Sequence, residues 1–100
     1  VRIFNTICEA TEKRQLAALA LAARVDLMLV IGGKHSANTR QLVELCRSVG
    51  VETLHVETAE ELNLPDQYKQ KRIGITSGAS TPQWVVEDVV QKLKQMSEAP

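Results

Sequence analysis

The chain switches between two hydrophobic periods. Leu16, Leu19, Ala20 and Ala23 recur at helical offsets in a segment rich in Ala, Leu, Glu, Lys and Gln, which predicts an amphipathic helix over residues 8–24. Leu27-Met28-Leu29-Val30-Ile31 is a continuous apolar run closed by Gly32-Gly33, the pattern of a strand covered on both faces in a parallel sheet. Leu42, Leu45, Cys46 and Val49 repeat the helical offsets, with Asn38 and Gln41 spaced as an N-cap and its N3 partner and Gly50 placed as a C′ terminator. Residues 51–56 read as a short strand, and Thr58-Ala59-Glu60-Glu61 as a capping box opening a brief helix that Asn63 and Pro65 stop. Residues 72–76 make a further strand, residues 77–80 turn, and Pro82 opens a last helix striped by Val86, Val89, Val90 and Leu93. Residues 1–5 read as an extended edge segment. This order specifies one α/β domain over residues 1–100, a small doubly wound, mostly parallel sheet of three to four strands flanked by helices.

Composition narrows the function classes. The 100 residues carry 12 basic and 12 acidic side chains, so the net charge is zero, and no basic run offers the footprint that nucleic acid or an anionic membrane surface requires. The longest apolar run, Leu16 to Ala23, is far short of the ~20 residues of a membrane span, and no secretory signal pattern appears. Two cysteines, Cys8 and Cys46, without a CxxC pairing, are too few for a disulfide scaffold or a self-contained metal site, and a reducing cytosol is the expected compartment. The chain opens on Val1 within an apolar stretch, without an initiator Met, and is expected to be a piece of a longer protein.

In an open parallel sheet the ligand crevice lies beyond the carboxyl ends of the strands, which directs attention to the loops after Ile31 and Thr76. Residues 32–39 (GGKHSANT) and 77–82 (SGASTP) each run straight into a helix N-terminus. Two readings are open for them. They are strand-to-helix turns whose Ser, Asn and Thr side chains cap helices, or they form a neutral cradle for a phosphate or diphosphate built from Ser36, Asn38, Ser80 and helix-opening amides. Gly33-Lys34 lacks the spacing of a Walker A loop. Cys8 falls at the start of the first helix, where the dipole stabilises a thiolate suited to a nucleophile or metal ligand; a small half-buried residue is the alternative. Cys46 sits in a core stripe and reads as an inert packed thiol. His35 is either an anion donor or solvated surface, His55 a surface or satisfied histidine, and Trp84 a packing or interface residue. Glu12-Lys13-Arg14 reads as a solvated helix face, and no Ser-His-Asp order or carboxylate pair emerges.

Asn5-Thr6-Ile7-Cys8-Glu9-Ala10-Thr11, followed by Lys13-Arg14-Gln15, resembles the third cysteine motif of the LytB/IspH family of hydroxymethylbutenyl diphosphate reductases. Residues 32–39 resemble that family's GGKxSSNT segment, and residues 74–82 its GITAGASTP segment, so three motifs stand in order along nearly the whole chain. The resemblance covers the C-terminal third of such an enzyme. It implies one domain of a three-domain trefoil built around a 4Fe-4S iron-sulfur cluster, with residues 1–8 leading into Cys8 as one of three cysteine ligands. It also implies that Ser36, Asn38 and Ser80 bind the diphosphate of the substrate. The implied reaction is reductive dehydroxylation to isopentenyl and dimethylallyl diphosphates, the last step of the methylerythritol phosphate route. Ferredoxin or flavodoxin is the implied electron donor, and the bacterial cytoplasm or a plastid the implied compartment. Ala37 departs from the family's second serine, leaving only a backbone N–H there, and His35 stands where the family often has Asn. The remaining cluster ligands and the proton-delivering acid belong to upstream domains, so these 100 residues are expected to be inactive alone. A non-catalytic phosphate-binding module of the same fold is the alternative, and a domain that only packs against neighbours is a third.

Overall fold

Leu27–Ile31 (β2) is apolar at every position because both of its faces are covered, and all five residues are buried. In the computed structural model, which describes residues 2–5, 11–63, 67, 71–78 and 80–98, it is a central strand. Arg2–Asn5 forms β1, Glu52–Val56 β3 and Arg72–Ser77 β4, in the spatial order β1-β4-β2-β3 with every pair parallel. Among the described residues there are three α-helices: α1 at Thr11–Ala22, α2 at Ala37–Ser48 and α3 at Gln83–Glu98. A 3-10 turn at Ala59–Glu61 follows β3.

Alternation along β2 divides the core in two. Leu27, Leu29 and Ile31 face α3 and pack with Ile73, Ile75, Val86, Val89 and Leu93. Met28 and Val30 face the opposite way, onto Ala18 and Ala22 of α1 and Leu42, Val43 and Cys46 of α2. The helices thus cover both faces of an all-parallel sheet, the doubly wound arrangement expected. At the amino end of the strands Asp26 and Arg72 tie β2 to β4: Asp26 N donates to Arg72 O at 2.9 Å and Arg72 N to Asp26 Oδ2 at 3.0 Å.

Several local expectations are corrected. The buried face of α1 is formed by Ala18 and Ala22, whereas Leu16 is 68% exposed, Ala20 and Ala23 are exposed and Leu19 is half-buried. A segment apolar at every position from Leu16 to Ala23 fits several helical phases, and packing chose the one whose alanines admit closest approach. Leu21 reaches the sheet at Gly74, where a Cβ would lie 3.0 Å from its Cδ2. The helix ends at Ala22 rather than Arg24, its last carbonyls tightened by Arg24 N donating to Leu21 O at 2.8 Å. On α2, Val49 lies at the C-cap and is 41% exposed, beyond the last buried turn, while Gly50 takes φ +92° in the expected C′ role. Thr58 makes no side-chain cap; Glu61 still reaches back, its Oε1 accepting from Glu57 N at 2.6 Å.

Candidate functional site

β2 and β4 are neighbours, yet β2 feeds α2 on one face and β4 feeds α3 on the other. Their carboxyl-end loops therefore leave the sheet edge toward opposite faces, and the point where they diverge is the topological switch point at which ligands of such folds bind.

The first loop is fixed at both ends. Gly32 N donates to Val56 O at 2.9 Å and Ser36 N to Gly33 O at 3.1 Å. Ser36 then caps α2: its backbone is extended (φ −77°, ψ 121°) and its Oγ accepts from Thr39 N at 3.3 Å. The N-cap is thus Ser36 and not Asn38. Both residue types cap well, and the turn closed by Gly33 and Ser36 brings the extended backbone two residues earlier. The correction alters the geometry in a useful direction. Ala37 and Asn38 now stand in the opening turn, where backbone N–H groups and the positive dipole end favour an anion. Ser36 Oγ spends a lone pair on the cap, a bond that does not use its proton.

The second loop is pinned to the end of β2. Gly78 N donates to Ile31 O at 3.0 Å, Thr81 Oγ1 donates to the same carbonyl at 3.2 Å, and Thr81 N closes onto Gly78 O at 3.1 Å. Ser80, exposed on this turn, precedes Pro82, whose carbonyl accepts from Val85 N and Val86 N and so opens α3. The glycines of the two loops face one side chain. A Cβ on Gly32 would lie 2.9 Å from Thr39 Cγ2 and 3.0 Å from Thr81 Oγ1, and a Cβ on Gly78 would strike Thr39 Oγ1. Thr39 is completely buried, and its hydroxyl is the buried side-chain polar atom left without a hydrogen-bond partner among the described residues. Such an unpaired hydroxyl typically costs about 1–3 kcal/mol. Nothing in the sequence pattern distinguishes Thr39 from a helix-face threonine; only the meeting of two glycines around it does.

Two further supports were not legible in the sequence. His55 Nε2 lies 3.0 Å from Gly32 O, which makes the imidazole a donor steadying the first loop and bears out the satisfied-histidine reading. Lys34 is held twice: its N–H donates to Glu57 Oε1 at 3.1 Å and its Nζ to Glu61 Oε2 at 2.8 Å. Lys34, the lysine of the first loop, is thus turned toward two carboxylates of the β3 side. The Lys34 ammonium bonded to Glu61 holds that carboxyl below its ordinary value of 4.5, and Glu61 in turn raises Lys34 above its ordinary 10.5. A lowered carboxyl pKa contributes stability above the unfolded value that is lost as pH falls through the folded one; a raised lysine pKa contributes below the unfolded value and is lost in strong alkali. Thermal melts taken from roughly pH 6 down to pH 3 should fall less steeply for Glu61→Gln than for the native chain. Parallel slopes would show that the clamp carries no weight.

Ser36, Ala37, Asn38 and Ser80 lie on these two loops, which follow the neighbouring strands β2 and β4. Cys8 lies outside the described residues. Cys46 is a fully buried free thiol that burial pushes up to about 11, inert as expected. His35 is exposed on the first loop, and Trp84 is 65% exposed at the start of α3. Among the described residues no group of His, Cys, Asp and Glu is clustered to hold a metal ion, and no helix is long and apolar enough to cross a membrane.

Residues 1–94 match the family model described as LytB protein. The chain belongs to the LytB family. Relatives agree: it is 47% identical to a 4-hydroxy-3-methylbut-2-enyl diphosphate reductase of Geobacter sulfurreducens, the match covering 95% of this chain and 34% of that protein. It is 53% identical to the protein of the same name from a Thermoanaerobacter species, covering 91% and 32%. The fold superimposes with a TM-score of 0.79 and 44% identity on a solved (E)-4-hydroxy-3-methyl-but-2-enyl diphosphate reductase, described as the terminal enzyme of the non-mevalonate pathway, over 88% of this chain and 31% of that one. A reductase structure from Plasmodium falciparum matches with a TM-score of 0.72 at 29% identity, over 93% of this chain and 28% of that one. This LytB-family chain spans about a third of the length of the curated relatives it matches.

Proposed function

We propose that the chain forms the diphosphate-holding part of a 4-hydroxy-3-methylbut-2-enyl diphosphate reductase, the activity named for its LytB-family relatives. The observation that carries this is the pairing of two helix-opening loops on adjacent parallel strands, with Ser36, Ala37 and Asn38 on one and Ser80 on the other. Ser36 Oγ–H and Ser80 Oγ–H donate to phosphate oxygens, the Asn38 amide adds a donor, and Ala37 contributes its backbone N–H. A dianionic headgroup held by neutral donors is fixed in register without a lysine whose flexible stem would let it swing. Anchoring the diphosphate orients the rest of the substrate toward the remaining domains of the enzyme.

The described residues offer no ligand set for an iron-sulfur cluster. One would be held by Cys8 together with cysteines outside this chain, and when bound it supplies electrons to the substrate, received from ferredoxin or flavodoxin. The chain alone is therefore inactive, and the complete enzyme works in a reducing compartment such as the bacterial cytoplasm, or a plastid.

The full-length protein, prepared without oxygen, is expected to contain iron and to convert 4-hydroxy-3-methylbut-2-enyl diphosphate to isopentenyl and dimethylallyl diphosphates. Ser36→Ala or Ser80→Ala should each raise KM about tenfold, the value of one hydrogen bond to a charged group. A full-length protein that binds diphosphate but holds no iron would replace this reading with a non-catalytic phosphate-binding module.

A further inference from the structure

The ladder between β2 and β3 ends at Gly32, whose N donates to Val56 O at 2.9 Å. The chain then turns away into the loop that carries Ser36, and two side chains take over from the backbone of β3. His55 Nε2 lies 3.0 Å from Gly32 O, and since a carbonyl only accepts, the ring nitrogen donates. Glu57, two residues on, accepts from Lys34 N at its Oε1 at 3.1 Å. The spacing matches: two positions two apart on one chain hold two positions two apart on the other. Leu54 and Val56 pack into the cluster on the α3 side of the sheet, so by strand alternation His55 is on the face that carries α2, toward which the first loop turns. The 3-10 turn locks this bracket from behind, since Glu61 Oε1 accepts from Glu57 N at 2.6 Å and its Oε2 from Lys34 Nζ at 2.8 Å. Neither anchor is needed to build the core: Glu57 is exposed, His55 is half-buried, and both hydrophobic clusters form without them.

We propose that His55 and Glu57 are positioning residues for the diphosphate: from the edge strand they hold the backbone of the first loop at Gly32 and Lys34, and so fix where Ser36 and the opening amides of α2 stand. This rests on the diphosphate reading above. Both bonds fall on the first half of the loop, and Ser36 N donating to Gly33 O at 3.1 Å carries the restraint to the helix cap. Neither side chain needs to touch the ligand. Their work is to remove freedom from a loop that opens on two glycines, so that its donors stand in register before the diphosphate arrives and binding does not have to order them. The diphosphate is held alike in the bound substrate and in the transition state, so losing an anchor weakens both equally and is read in KM with kcat retained.

The test uses the full-length protein, prepared without oxygen, with steady-state kinetics on 4-hydroxy-3-methylbut-2-enyl diphosphate, calorimetric titration of inorganic diphosphate, and thermal melts. Glu57→Ala and His55→Leu are each expected to raise KM and the diphosphate Kd about three- to tenfold, with kcat within about twofold of the native value. Glu57→Gln keeps a carbonyl oxygen for Lys34 N, and His55→Gln keeps a donor nitrogen for Gly32 O, so each should recover most of the loss. Glu60→Ala removes an exposed charge from the same 3-10 turn and should leave both constants as they are. Native-like KM and Kd in Glu57→Ala or His55→Leu, a loss as large in the glutamine variants as in the truncated ones, or a lowered Tm with binding unchanged would overturn the proposal while leaving the diphosphate reading intact. Failure of the native protein to bind diphosphate at all would overturn both.

Discussion

Gly78→Ala is expected to destabilise the chain by about 1–3 kcal/mol, lowering Tm by roughly 10 °C, and to remove most diphosphate binding. The added methyl group would strike Thr39 Oγ1 and lie 3.3 Å from Thr39 Cβ, atoms fixed by a helix and by complete burial. The far end of a flexible side chain would swing away; here the helix or the loop must move. Movement of the loop breaks the bond from Gly78 N to Ile31 O and displaces Ser80, so stability and binding fall together. Thr39→Ala supplies the control. It removes the struck oxygen, so Gly78→Ala should cost much less in that background, a coupling that a double-mutant cycle reads directly. Additive losses, with no coupling, would refute the account of the collision. Urea denaturation of the four variants decides it.

Strand β2 was legible because its apolar run is short, continuous and bounded by Asp26 and Gly32, whereas β3 and β4 showed only as short β-prone stretches between turn signals. Leu27–Ile31 appears as expected, and Arg72–Ser77 extends one residue beyond Thr76 because Ser77 still pairs with Ile31. Helix α2 was clearer but not exact: Leu42 and Cys46 of the expected stripe are buried, whereas Leu45 is half-buried and Val49 exposed, the buried face turning instead toward Thr39 and Val43. Helix α1 was not legible in phase, because an unbroken apolar run carries none. Its orientation is settled by the small volume of Ala18 and Ala22 against α2 and the sheet, a tertiary property that no single-helix pattern contains.

The loops of the site were legible as glycine-bounded helix openings, and Ser36, Asn38 and Ser80 stood out as their donors. Their supports were hidden. Lys34 meets Glu61, and Gly32 meets His55, across 27 and 23 residues of chain, pairings that follow from the register of β2 on β3. Thr39 was hidden for a different reason. A buried threonine on an apolar helix face is common, and its significance lies in the two glycines and Thr81 that only the adjacency of β2 and β4 brings to it.

The largest loss of stability is expected from Leu42→Ala, about 3–5 kcal/mol. Leu42 is completely buried in the cluster that seats α2 on Met28 and Val30, beside Val43 and Cys46. Deleting its branched end leaves a void between helix and sheet that neighbours fixed by the parallel pairing of β2 and β4 can fill only in part. Against a total of about 5–15 kcal/mol for a domain of this kind, that leaves the chain close to unfolding at ordinary temperatures. The effect reaches the site, since the same helix carries Ser36 at its cap and Thr39 in its first turn. Leu16→Ala is the matched comparison. The hydrophobic pattern ranks Leu16 with the core, whereas its 68% exposure predicts a change within about 0.5 kcal/mol. Urea midpoints for the two variants therefore test the orientation of α1 and the seating of α2 at once. A large loss at Leu16 would mean that α1 presents the face its leucines suggest, and a small loss at Leu42 that α2 is held mainly by its caps and loops.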